Sequence, residues 1–256
     1  MFFGLIPSNQ NWDVRRKITL KTIGINFASQ YIQLMINVVD DWAKEVEHNK
    51  QLDLSKEISK ITFRIISKIL FGNDIDQLQT IEYTSSKDGS KKLLSFEQFY
   101  SKMSYDELQA YLSPKGKLFS FFSGTKIIEP YKTNHNNVCS LQKTLREFLA
   151  GSCDKNSVNR RIVDSNKVDT EEVFRDVLLL LFAGFDTTSH AITSTLYQLK
   201  KHPMVLVKLQ KKLADIGITN VDTSDNENLK HVFGECEYLN YVIKEGLRID
   251  PLAVSG

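Results

Sequence analysis

Apolar residues recur at helical spacing along nearly the whole chain. Phe27, Tyr31, Leu34, Met35, Val38, Trp42 and Val46 stand three and four apart, predicting one stripe of an amphipathic helix. Leu54, Ile58, Ile61, Ile65, Ile69 and Leu70 repeat the pattern, opened by Asp53 as N-cap and closed by Gly72. Further helices are predicted over residues 93–112 and 133–150. The polar run Thr84–Lys92 reads as a surface loop, Ser113-Pro114-Lys115-Gly116 as a turn, and Gly151–Lys167 as a linker.

The strongest prediction follows. Asp169-Thr170-Glu171-Glu172 resembles a capping box, and helical character runs on without proline to Lys200-Lys201-His202, where Pro203 stops it. A helix of roughly 32 residues would be about 48 Å long and would cross most of a domain. Pro203 then starts another helix, with Leu206, Leu209, Leu213 and Ile216 inward and Gly217 at its end. A last helix is predicted from Glu235 to Arg248. Strand signals are few and no internal repeat is present, so the predicted fold class is all-α.

Composition narrows the function. The 256 residues carry 33 Lys+Arg against 31 Asp+Glu, a net charge of +2, with 41% hydrophobic residues. That balance excludes wholesale disorder and argues against a dedicated nucleic-acid binder. Cys139, Cys153 and Cys236 are scattered and form no C-x-x-C pair, which suggests buried thiols rather than disulfides or a structural zinc site. The first residues, Met1 to Pro7, match neither a signal peptide nor an anchor. The longest apolar run, Val177–Phe182, is too short to span a bilayer, so the chain is expected to be soluble or peripherally attached.

Three constellations could carry chemistry. In the long helix, Leu181-Phe182-Ala183-Gly184-Phe185-Asp186-Thr187-Thr188-Ser189-His190 contradicts its own element. Gly184 weakens a helix interior, three hydroxyls compete with the ladder, and Asp186 follows an apolar run. One reading is a widened turn where a carboxylate and a hydroxyl pass protons to something bound there. A second is a long core helix that tolerates polar residues. A third takes Asp186 and His190, at i and i+4, as metal ligands, although nothing supplies a third.

Glu245 and Arg248 share one side of the last helix with Tyr241, opposite Leu239, Val242, Ile243, Gly246 and Leu247. They make either a solvated ion pair or a face on which more protein packs. Trp12 and Arg16, also at i and i+4, could present an indole N–H and a guanidinium to a carboxylate. The plainer alternative is a surface arginine whose stem covers a half-buried tryptophan.

Taken in order, these segments resemble the middle of a cytochrome P450, a haem-thiolate monooxygenase. Ala183-Gly184-Phe185-Asp186-Thr187-Thr188 matches the family's A-G-x-[DE]-T-T motif. Glu245-Gly246-Leu247-Arg248, followed by Asp250-Pro251, matches its E-x-x-R helix and the later proline. Trp12 and Arg16 match the W-x-x-x-R pattern, and Leu54–Gly72 resembles the helix between. The resemblance implies one partial, mainly helical P450 domain over residues 1–256, with the small β regions mostly missing.

It also implies roles. Asp186 and Thr187 would be the acid–alcohol pair that delivers protons to dioxygen. Ala183 and Gly184 would lie against the haem face, and Trp12 and Arg16 would hold a haem propionate. Glu245 and Arg248 would be a structural pair, buried by the segment that follows. The family's iron ligand is a cysteine in an F-x-x-G-x-R-x-C-x-G loop after the E-x-x-R helix. Phe148-Leu149-Ala150-Gly151-Ser152-Cys153 lacks the arginine and the order, Phe233-Gly234-Glu235-Cys236 precedes Arg248, and Cys139 stands in no such frame.

The expectation is therefore an internal fragment, inactive alone, with the thiolate missing. The parent would bind haem, take electrons from a reductase and oxidise a small apolar substrate, with no nucleic-acid partner. Its membrane attachment, at the endoplasmic reticulum as in related proteins, would depend on a missing N-terminal segment. A non-catalytic all-helical binding or scaffold domain is the rival reading; haem titration of a longer protein discriminates, since a scaffold binds none.

Overall fold

The computed structural model describes residues 10–23, 29–46, 51–78, 80–112, 129–151, 157–164, 170–217, 234 and 236–251. Nine helices are described: α1 (Gln10–Ile23), α2 (Ile32–Glu45), α3 (Leu54–Phe71), α4 (Phe96–Leu112), α5 (Tyr131–Gly151), α6 (Val158–Asp164), α7 (Thr170–Lys201), α8 (Pro203–Asp215) and α9 (Glu237–Ile249). One antiparallel hairpin, β1 (Ile81–Thr84) with β2 (Lys91–Leu94), is the sheet among the described residues. The mainly helical class is as expected.

Local chemistry sets the helix ends. The Asp53 carboxylate accepts from the Lys56 N–H at 3.3 Å, capping α3. Gly72 ends α3 at φ 100°, a conformation open to glycine, and its N–H donates to Lys68 O at 2.9 Å. Pro203 opens α8, and Gly217 follows it at φ 72°. Phe27, the turn at Ser113–Gly116 and the Asp169 cap lie outside the described residues.

Long-range contacts change two expectations. Thr84–Lys92 is not wholly loop, because Thr84 and Lys91 pair across the hairpin and the Ser85 N–H donates to Ser90 O at 2.8 Å. The hairpin is held from α5: Asn137 Oδ1 accepts from the Thr84 N–H at 3.1 Å, and its Nδ2 donates to Thr84 O at 2.9 Å. These side-chain bonds replace a third strand. Asn137 is buried, so Asn137→Ala should leave two backbone groups unpaired and cost about 1–3 kcal/mol in urea unfolding. The Gly151–Lys167 linker contains α6, which buries Val158 and Ile162 in the core.

α7 is the spine of the fold. It packs on α3 along its length and also meets α6, α8 and α9. Phe174, Val177, Leu178, Leu181 and Phe185 are buried on it. Phe63 and Phe96 stack edge-on at 5.1 Å, and Phe63 meets Phe185 at 5.4 Å, so α3, α4 and α7 share one aromatic core. The buried Tyr100 hydroxyl donates to Leu178 O at 2.7 Å. Asp176–Lys201 is, by length and composition, long and apolar enough to cross a membrane, contrary to the run-length expectation. Val177–Phe182 understates this because apolar residues continue past Asp186. Here that stretch is the helix around which the others assemble.

Candidate functional site on the central helix

The weakened turn is not found. Gly184 to His190 is α-helical throughout. The Thr187 hydroxyl donates to Ala183 O at 2.6 Å and the Ser189 hydroxyl to Asp186 O at 2.9 Å. Both hydroxyls bond carbonyls of the preceding turn, which are already in the ladder, so they decorate the helix rather than open it.

Burial separates the motif residues. Leu179, Ala183, Asp186, Thr187 and His190 are all exposed and fall at i, i+4, i+7, i+8 and i+11, one stripe of the helix. Gly184 faces elsewhere. A Cβ built there would stand 3.0 Å from Ile66 Cγ1, so its small size serves the close approach of α3 to α7 rather than the exposed stripe. The same interface is stitched by polar groups, with the Thr62 hydroxyl 3.3 Å from Phe185 O and the Ser59 hydroxyl 3.3 Å from Ser189 Oγ.

Asp186 also stands in the wall of a groove of about 460 Å³ between α3, α4 and α7, with Ser59, Lys60, Glu97, Tyr105 and Phe182. Lys60 donates to Glu57 Oε1 at 2.7 Å, and the Trp42 indole N–H donates to Glu57 Oε2 at 3.0 Å. These bonds, Lys60's first, hold the Glu57 carboxyl below its ordinary range. Glu97 goes the other way: burial pushes its carboxyl up, against the pull of the Lys60 cation and with a further push from Glu57.

Folded Glu97 thus binds its proton more tightly than unfolded Glu97. That contribution to stability is fully present below the unfolded pKa and is lost as pH rises through the folded one. Glu97→Gln should remove this part of the slope, read from urea unfolding at mildly acidic and neutral pH. Neither Lys60 nor Glu97 was legible as a site residue, because Glu97 on α4 meets the Glu57–Lys60 pair of α3 only when the two helices pack.

The other two constellations lie elsewhere. Arg248 grips Glu245 with two parallel bonds, Nε to Oε2 and a terminal nitrogen to Oε1, each 2.7 Å. The pair is solvated, with side-chain exposures of 71% for Arg248 and 55% for Glu245, as expected for a face not covered within these residues. The opposite face meets α7 closely: a Cβ on Gly246 would stand 2.6 Å from Thr195 Oγ1. Trp12 and Arg16 lie on α1; Arg16 is exposed, and the Trp12 side chain lies outside the described residues.

His190 does not join Asp186 on a metal. Its Nε2 stands 3.2 Å from Asp250 Oδ2 at the end of α9, and Asp250 is held below its ordinary range by Ser194 and then His190. The buried-thiol expectation divides: Cys236 is buried and Cys139 is exposed, while Cys153 lies outside the described residues.

An alkyl side chain and a methyl group, Leu179 and Ala183, stand uncovered on the core helix beside a hydroxyl and a carboxylate. A family model described as cytochrome P450 matches residues 4–256. Cytochrome P450 3A6 of Oryctolagus cuniculus is 27% identical over 263 residues, covering 97% of this chain and 50% of that protein. Cytochrome P450 3A12 of Canis lupus familiaris is 28% identical over 236 residues, covering 88% of this chain and 44% of the relative. The solved structure of retinoic acid bound cyanobacterial CYP120A1 aligns with a TM-score of 0.65 at 17% identity, over 94% of this chain and 49% of that one, and so shares the fold. The chain spans about half the length of the curated relatives it matches. On the strength of the family match across nearly all its residues, the chain belongs to the cytochrome P450 family.

Proposed function

We propose that the protein containing this chain is a haem-dependent monooxygenase that inserts one atom of dioxygen into a small apolar substrate, with electrons from a reductase. The observation that carries this reading is the uncovered stripe of Leu179, Ala183, Asp186 and Thr187 on the central helix of a P450 chain. When bound, the haem supplies the dioxygen-binding and redox chemistry that amino-acid side chains lack.

The chain's own residues position and move protons. Ala183 offers a small contact that leaves room beside it. The Thr187 hydroxyl is anchored by its bond to Ala183 O at 2.6 Å, with its lone pairs open towards the stripe. Asp186, next in sequence and open to the groove, would hand a proton drawn from solvent to that hydroxyl, which would release its own towards the group bound on the stripe. Arg16, which stands with Trp12 in the W-x-x-x-R pattern, would hold a haem propionate. The Glu245–Arg248 fork is a structural pair that further sequence covers. Gly184 contributes by letting α3 approach.

No cysteine of the 256 residues stands in the family's ligand loop. We place the thiolate in sequence outside them, and these residues alone are inactive. The test is reduction under carbon monoxide. The full protein should bind haem and give a thiolate-type Soret band, and the 256-residue chain should not. A thiolate band from the 256 residues alone would refute the missing ligand. Failure of the full protein to bind haem would refute the monooxygenase and favour a scaffold.

A further inference from the structure

Away from the central helix, α5 carries a second pair of reactive side chains. His135 and Cys139 stand at i and i+4, on one helix face. Cys139 is exposed, and its Sγ lies 3.6 Å from His135 Nε2. That separation suits a hydrogen bond between thiol and imidazole. It equally suits an ion between them: a tetrahedral zinc, with bonds of about 2.3 Å to sulfur and about 2.0–2.1 Å to nitrogen, sets these two atoms about 3.6 Å apart. The ion would replace the shared proton with no change in the helix.

We propose that His135 and Cys139 form a surface site for a borderline divalent cation of the zinc type, completed by water. Thiolate and imidazole favour such an ion over magnesium or calcium, which seek oxygen. Coordination needs the thiolate, so the thiol proton leaves to solvent as the ion binds. Among the described residues, no group of three or more His, Cys, Asp or Glu gathers to hold a metal. The site is therefore open and exchangeable, unlike a closed structural zinc site.

Zinc chloride is the probe, and the readout is alkylation of Cys139 by iodoacetamide in the full protein, followed by peptide mass spectrometry. A metal-bound sulfur is a poorer nucleophile than a free thiolate, so zinc should slow alkylation about tenfold or more, reversibly with a chelator. In His135→Ala the zinc-dependent slowing should fall to about twofold or less, each variant being compared with itself so that intrinsic thiol reactivity cancels. No slowing in the native protein, equal slowing in His135→Ala, or equal slowing by magnesium would overturn the proposal. Should His135→Ala lose helix, the zinc bound per chain by Cys139→Ser decides: one ion fewer supports the site, and the same number overturns it.

Discussion

Thr187→Ala in the full protein is expected to uncouple dioxygen consumption from substrate oxidation. Product formed per dioxygen consumed should fall by about a hundredfold, the low end of the range by which positioned proton-transfer groups act. The basis is local geometry. The Thr187 hydroxyl is held by Ala183 O at 2.6 Å on an exposed stripe, and alanine removes it. Thr187→Ser keeps the hydroxyl and should retain most of the coupling, which separates chemistry from packing. Asp186→Asn should instead slow turnover, by about a hundredfold, because an amide occupies the groove but exchanges no proton. Oxygen-electrode and product measurements on the same samples distinguish the two. Unchanged coupling in Thr187→Ala would remove Thr187 from the mechanism.

Phe63→Ala should be among the most destabilising single substitutions, at about 3–5 kcal/mol, read as a shift in the urea unfolding midpoint. Phe63 is 4% exposed and its ring lies 5.1 Å from Phe96, 5.8 Å from Tyr100 and 5.4 Å from Phe185. Removing it opens a cavity where α3, α4 and α7 meet, and the three helices cannot all collapse into it. Phe63→Leu keeps much of the volume and should cost roughly 1.5 kcal/mol or less. Equal losses for the two variants would show that the site is not the packed junction described here. The loss should reach the exposed stripe of α7 indirectly, since α7 packs on α3 and α4 at this junction.

Much of the secondary structure was legible because its signals are local. Asp53 and Gly72 bracket α3, Pro203 and Gly217 bracket α8, and α7 runs without an internal proline to the stop at Pro203. The order of the W-x-x-x-R, A-G-x-[DE]-T-T and E-x-x-R motifs likewise pointed to the family, which the match over residues 4–256 establishes. The hairpin escaped because β2, Lys-Lys-Leu-Leu, is mostly exposed and does not alternate. α6 escaped because seven residues are too few to show a period.

The sequence by itself therefore determined most of the helices, the side chains available on α7 and the family. Only the tertiary structure decided which side of α7 is covered: Gly184 went to Ile66 on α3, whereas Ala183, Asp186 and Thr187 stayed open. It also gave His190 to Asp250 and brought Glu97 into the field of the Lys60–Glu57 pair. The physical reason is that helical period and capping depend on neighbours within a turn or two. The covering of a face depends on residues a hundred or more positions away, as with Ser59 and Ser189.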